Sequence, residues 1–256
     1  SLAQIVHNVG LAALNFVDEI KRTYPANRLG GHTLGRVDVD NRGTAGIERF
    51  IDKIKASEPT YAAHLSSRAP IKLSLDFAVM HAMEEELEGA IKKFEAVGAA
   101  GLVLDAHSGE ILASISLPGV DPADSEESLE PARLDKIQAG VYELGSVMKL
   151  PTIAMALEDG KTLDSLVDTS DALSIGGFTL RDPHPVGRPM TLSEVFLRSS
   201  NVGAAQLALA SGSTRQRSFL EKIGLWSALE TEVGPGPEPL RALTYGRVEL
   251  ITISYG

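Results

Sequence analysis

From Phe77 to Val97 the apolar residues Met80, Met83, Leu87, Ile91 and Phe94 recur at helical spacing, acidic residues crowd the middle, and Lys92-Lys93 lie near the end. This predicts an amphipathic helix whose C-terminal charges suit its macrodipole. Ile71-Lys-Leu-Ser-Leu-Asp76 alternates like a half-buried strand. Ala99–Asp105 and Glu110–Leu117 read as two strands joined by Ala106-His-Ser-Gly109, with glycine where a hairpin turn needs positive φ. Asp105, His107 and Glu110 cluster because they bracket that turn, which is turn chemistry and not a metal site. Residues 118–135, rich in proline and acid, predict a surface loop. An apolar helical run to Leu157 then breaks at Glu158-Asp-Gly-Lys161. Ile175–Leu180 predicts a short strand, and Arg181–Arg188 a loop in which His184, between prolines, is scaffolding. Met190–Arg198 predicts a helix with Ser or Thr near its start as a cap. Helices over Val202–Ala210 and Thr214–Leu225 follow, and residues 249–255 read as a strand or the start of a buried helix. Residues 1–56 are short segments punctuated by glycine and proline, with a short helix at Ile47–Ile54. Residues 57–70 lack periodicity and place a module boundary near 70.

Composition narrows the classes. In 256 residues, 43% hydrophobic and 23% charged is a globular balance, with room for one large domain or two modest ones. A net charge of −10 and the lack of a basic stripe argue against a nucleic-acid partner. With no cysteine, disulfides and thiolate metal sites are excluded. No apolar run is long enough to span a membrane, and the first residues lack the basic flank and apolar core of a signal peptide. Both ends read as abrupt, the pattern expected of a fragment. Two look-alike motifs fail. Gly30–Gly35 has phosphate-loop spacing, but Arg36-Val37 replaces the required Lys-Ser/Thr. Asp38–Gly43 begins like a calcium loop, but Arg42 and Arg49 stand where oxygen ligands are needed. No metal or cofactor is expected.

The candidate chemistry lies in Tyr142-Glu-Leu-Gly-Ser-Val-Met-Lys149, at the start of the apolar run. Residues three apart on a helix share a face, which brings the Ser146 hydroxyl within reach of the Lys149 amine. A serine needs an adjacent base to be nucleophilic, and a lysine serves only if its pKa is lowered. Ser-x-x-Lys occurs once in the chain but is weak by itself, since a helix cap beside a surface lysine gives the same letters. Its context is more specific. Ser199-Ser-Asn201, the chain's one Ser-x-Asn, follows some fifty residues later. That order and pairing are the first two motifs of the penicilloyl-serine enzymes, whose third is Lys-Thr-Gly.

Beyond the motifs, Tyr142–Leu157, the hairpin Gly101–Ala113 and Phe196–Gly203 resemble class B penicillin-binding proteins of the division type, and the likeness covers nearly the whole chain. Arg22-Thr-Tyr-Pro25, His32-Thr-Leu-Gly35 and Gly43-Thr-Ala-Gly-Ile-Glu48 are similar to the pedestal that precedes their transpeptidase domain. The resemblance implies an α+β fold: part of a pedestal module over 1–70, then a transpeptidase domain over 71–256. That domain has an antiparallel sheet flanked by helices and lacks its C-terminal part. It implies a peptidoglycan D,D-transpeptidase of cell-wall synthesis at division. Ser146 would attack the penultimate D-Ala carbonyl of a stem peptide, and an amine of a neighbouring peptide would take up the acyl group. Lys149 would be the base, Ser199 would relay a proton to the leaving amine, and Asn201 would bond the substrate amide and help orient Lys149. The Ser146 N–H would be one oxyanion donor. Ser146, Ser199 and Asn201 would also meet β-lactams. Further implied are division membrane proteins as partners and a periplasm-facing enzyme on the bacterial inner membrane, held by an anchor outside these residues.

Departures accompany the resemblance. Leu144 stands where many relatives have proline, and Val147-Met148 where they often have Thr-Phe. No Lys-Thr-Gly occurs in the 256 residues. Chain order places it past Gly256, so these residues alone are expected not to be a competent transpeptidase. Two rivals stay open: a serine β-lactamase relative, against which the pedestal argues, and a non-catalytic, partner-binding scaffold.

Overall fold

The computed structural model describes residues 21–57, 70–241 and 244–256. The chain divides into two compact units, Ser1–Ala139 with Thr231–Gly234 and Gly140–Glu230 with Pro235–Gly256.

In the first unit, helices α1 (Gly31–Leu34) and α2 (Gly46–Ser57) precede the long α3 (Phe77–Phe94) and the strands β1 (Ala99–Leu104) and β2 (Ile111–Leu117). Asp76 caps α3 by accepting from the Ala78 and Val79 amides, and Lys92-Lys93 occupy its last turn. Its stripe packs as the periodicity predicts: Met80, Met83, Leu87 and Ile91 lie against Ala113, Ile115 and Leu117 of β2. Phe94, the last residue of α3, does not join them and is 70% exposed. The strands pair antiparallel from Ala99↔Leu117 to Leu104↔Ile111. Asp105 organises the turn, its carboxylate accepting from the His107 and Ser108 amides and its carbonyl from Gly109 N–H.

Two expectations in this unit need correction. Ile71–Asp76 is not a strand. Its alternation lacks a ladder, since it is tied to β2 by the Asp76 amide to the Leu112 carbonyl (2.8 Å) and by the Ser74 hydroxyl to the Ile111 carbonyl (2.7 Å). Residues 118–135 are not wholly a surface loop either. They hold two 3-10 turns and a Glu127 that is only 9% exposed. Glu127 is paired with Arg28 (2.6 Å) and Arg133 (2.9 Å) and accepts the Asp121 amide (2.9 Å). Those donors, Arg28 foremost, hold its pKa below the usual carboxylate range.

The second unit contains α4 (Lys149–Glu158), β3 (Leu166–Val167), β4 (Leu173–Ile175), β5 (Phe178–Leu180), β6 (Met190–Thr191), α5 (Leu192–Leu197), α6 (Asn201–Ser211), α7 (Ser213–Lys222) and α8 (Arg247–Tyr255). The fold is thus α+β, although the described strands form two-stranded antiparallel ladders and no broad sheet. Ile175–Leu180 is a hairpin, not one strand, because Gly176 (φ 53) and Gly177 (φ 91) reverse the chain. A two-residue turn with both φ positive is the glycine-favoured hairpin connection. α5 starts in a capping box between Thr191 and Glu194. α6 is apolar nearly all round, the signature of a buried helix. One side packs Leu207 against Ile153, Ala156, Val167, Leu192 and Val195, and another packs Val202 and Ala205 against Ile175, Leu180 and Ile251. Residues 249–255 belong to α8.

Candidate active site

Two stretches distant in sequence meet in the second unit. The first is a 3-10 turn, Gly145–Met148, running directly into α4. In 3-10 geometry side chains at i and i+3 eclipse, so Ser146 and Lys149 align more directly than α-helical spacing would bring them. Lys149 Nζ donates to Ser146 Oγ at 3.2 Å. Helix α8 backs this turn: the single Thr152 O–H is shared between the Met148 carbonyl (3.1 Å) and the carbonyl of the fully buried Ser254 (2.9 Å).

The second stretch joins α5 to α6. Ser199 N–H bonds the Phe196 carbonyl and Ser200 N–H the Val195 carbonyl, both at 3.0 Å. This pair of bonds is the Schellman cap, which requires a left-handed residue where glycine is usual. Here that residue is Ser199, with φ 53, and its side chain makes the conformation cost ~1–2 kcal/mol. In this conformation both Ser199 oxygens face the amine. Lys149 Nζ donates to the Ser199 carbonyl at 2.6 Å and to Ser199 Oγ at 2.8 Å. Ser199 Oγ is 3.3 Å from Ser146 Oγ and closes the triangle.

The donor inventory shows what the triangle can do. An ammonium has three N–H groups and meets three acceptors here. A neutral amine keeps two N–H groups for the Ser199 oxygens and turns its lone pair to the Ser146 hydroxyl. Lys149 is 3% exposed, and burial lowers its pKa against the opposing pull of the Asp182 charge. Ser146 and Ser199 are exposed, so a buried amine stands behind two hydroxyls open to solvent.

Asn201 is half-buried at the first position of α6. Its backbone N–H donates to Asp182 Oδ1 at 2.6 Å. Among the described residues its side chain makes no hydrogen bond to Lys149, and the Ser199 carbonyl takes the place expected for it. Ser146, Lys149 and Ser199 are therefore brought together, with Asn201 beside them. Sequence reasoning missed the Ser199 carbonyl and Asp182, which it left in a loop. No local pattern marks either: one is a backbone group, and the other depends on which helix the loop meets. His184 is exposed, and His81 is a surface residue 3.8 Å from Glu85.

A serine bonded to a buried lysine and to a second serine just before a helix is the arrangement that an activated serine nucleophile requires. Residues 99–234 match the penicillin binding protein transpeptidase domain, and the chain belongs to that family. It is 33% identical, over 98% of its own length and 42% of the relative's, to "Probable peptidoglycan D,D-transpeptidase FtsI" of Caulobacter vibrioides. It is 25% identical to "Peptidoglycan D,D-transpeptidase FtsI" of Escherichia coli, over 100% of this chain and 46% of that one. The chain thus spans less than half the length of these curated relatives. Among solved structures, the apo transpeptidase domain of Burkholderia pseudomallei penicillin-binding protein 3 aligns with TM-score 0.62 and 26% identity over 73% of this chain and 54% of that one. Apo penicillin-binding protein 3 of Mycobacterium tuberculosis aligns with TM-score 0.77 and 23% identity, covering 92% and 54%.

Proposed function

We propose that this chain carries the acylating half of a peptidoglycan D,D-transpeptidase that cross-links stem peptides during division. The observation that carries the reading is the Lys149 amine, nearly inaccessible and bonded at once to Ser146 Oγ and Ser199 Oγ. Ser146 Oγ attacks the penultimate D-Ala carbonyl as its proton passes to neutral Lys149. The tetrahedral intermediate collapses, the C–N bond to the terminal D-Ala breaks, and Ser199 relays a proton from Lys149 to that leaving amine. A second peptide's amine then attacks the ester, giving the new amide and restoring Ser146. Asn201, its backbone engaged with Asp182, has its side chain available for the substrate amide, and the Ser146 N–H serves as one oxyanion donor. β-Lactams acylate the same serine. The family's solved structures include a Mycobacterium tuberculosis penicillin-binding protein 3 complexed with aztreonam.

The proposal extends to organisation and place. The pedestal module covers 1–70 and the transpeptidase domain begins at 71. The residues that match the family, 99–234, lie within that proposed transpeptidase domain. The enzyme acts on the periplasmic side of the inner membrane with division proteins as partners; no described helix is itself long and apolar enough to cross a membrane.

Intact-mass measurement with benzylpenicillin tests the reading. Joined to a Lys-Thr-Gly strand, these residues are expected to gain a stable penicilloyl adduct on Ser146 that S146A lacks. Rapid hydrolysis of the adduct would make the site a β-lactamase, and no adduct would leave a scaffold. The 256 residues alone contain no Lys-Thr-Gly and are expected to acylate at least about 10²–10³ more slowly, the usual cost of one lost oxyanion donor.

A further inference from the structure

The first turn of a helix has four N–H groups with no partner inside the helix. At α6, Ser200 N–H goes to the Val195 carbonyl at 3.0 Å and Gly203 N–H to Ser200 Oγ at 2.8 Å. The remaining two, of Asn201 (2.6 Å) and Val202 (3.0 Å), both go to Asp182 Oδ1. Asp182 Oδ2 accepts from Ser200 Oγ at 2.6 Å. One carboxylate therefore grips the three residues that follow Ser199, at the helix end that favours negative charge. Its own place is set by the core. The β4–β5 hairpin buries Ile175 and Leu180 against Val202, Ala205 and Ile251, and Asp182 stands just after Leu180.

We propose that Asp182 is a positioning residue of this site. It pins Ser200–Val202 so that the strained Ser199 turn keeps both its oxygens on the Lys149 amine. Its consequence for acyl transfer rests on the function proposed above; its geometry does not. The groups bonded to the amine, from the 3-10 turn and the α5–α6 link, are hydroxyls and a carbonyl. The Asp182 charge favours the Lys149 cation, against the burial that lowers its pKa. A neighbouring anion favours the cation, so removing its charge should lower the pH at which Lys149 gives up its proton.

The test is nuclear magnetic resonance on the 256-residue chain, following Lys149 ¹³Cε (assigned with K149Q) through a pH titration. In Asp182→Asn the amide oxygen still accepts from α6 while the charge is gone, so the Lys149 midpoint is expected to fall. In Asp182→Glu the charge stays but the longer arm overshoots, so the midpoint should hold while the Asn201 and Val202 amides lose protection from exchange. In the unsubstituted chain, scalar couplings across the hydrogen bonds from those two amides to the Asp182 carboxyl carbon are expected. Their absence, or an unmoved or higher midpoint in D182N, overturns the proposal. If D182N does not fold, D182E and the couplings still decide. None of these readouts involves acylation, so a Ser146 that proves unreactive would refute the proposed function alone.

Discussion

Replacing Ser199 by alanine and by glycine separates backbone strain from chemistry at one position. Both substitutions delete the 2.8 Å bond from Lys149 to Ser199 Oγ and the 3.3 Å contact to Ser146 Oγ, so those losses cancel between them. Alanine keeps the cost of the left-handed conformation, about 1–2 kcal/mol, which glycine does not bear. Glycine has the freer unfolded chain, a penalty of about 0.4–1 kcal/mol. With φ at 53, S199G should therefore be more stable than S199A by roughly 0.5–1 kcal/mol. In a helix interior the order would be reversed by about 1 kcal/mol, so the sign itself is diagnostic. Urea unfolding followed by Trp226, the chain's single tryptophan and a residue of the second unit, reads the difference. Both variants should lose acylation of Ser146 by about 10²–10⁴ where the site is otherwise complete, the usual range for a lost proton-transfer group. An S199A equal to or more stable than S199G would refute the strained-cap argument, whatever happened to activity.

Lys149 and Tyr245 give opposite pH signatures in the same unfolding assay. Burial lowers the Lys149 pKa below its unfolded value, near ~10.4. The unfolded chain then holds the proton to higher pH, so stability should rise from the folded pKa up to the unfolded one, and K149M should abolish the rise. Tyr245, whose hydroxyl bonds the buried Gln216, is pushed up to about 12 by burial. Its unfolded form ionises first, so stability should fall as pH climbs from about 10 towards that value, a fall missing in Y245F. At Gly203 a Cβ would sit 2.6 Å from both methyl carbons of Val195. G203A should accordingly lose about 1–3 kcal/mol by overpacking, and V195A in the same chain should return part of it; a G203A as stable as the parent would remove the close α5–α6 approach from the account.

Much of this protein is written in local patterns. The α3 stripe, the hairpin closing at Asp105–Gly109, the break after Glu158 and the start of α5 all follow from periodicity and capping, whose physics acts within a few residues. So does the pairing of Ser146 with Lys149, because a spacing of three aligns them in an α-helix and more closely in the 3-10 turn that forms. Where reading failed, a partner was missing from the local window. Ile71–Asp76 alternates without a ladder to join. Glu127 looks like loop acid until Arg28, distant in sequence, closes on it. Gly176-Gly177 was a legible turn signal inside a stretch read as one strand.

The sequence by itself thus determined the family, the stretch that carries Ser146 and Lys149, and the identity of the candidate side chains, since these lie in short ordered motifs. Only the tertiary structure decided how they act on one another. It buried the Lys149 amine, which favours its neutral form. It placed Ser199 in a left-handed cap so that two oxygens of one residue meet that amine. It also brought Asp182 from a separate hairpin onto the start of α6. Each of those depends on non-local packing that brings residues far apart in the chain into contact, and no window of sequence contains both partners.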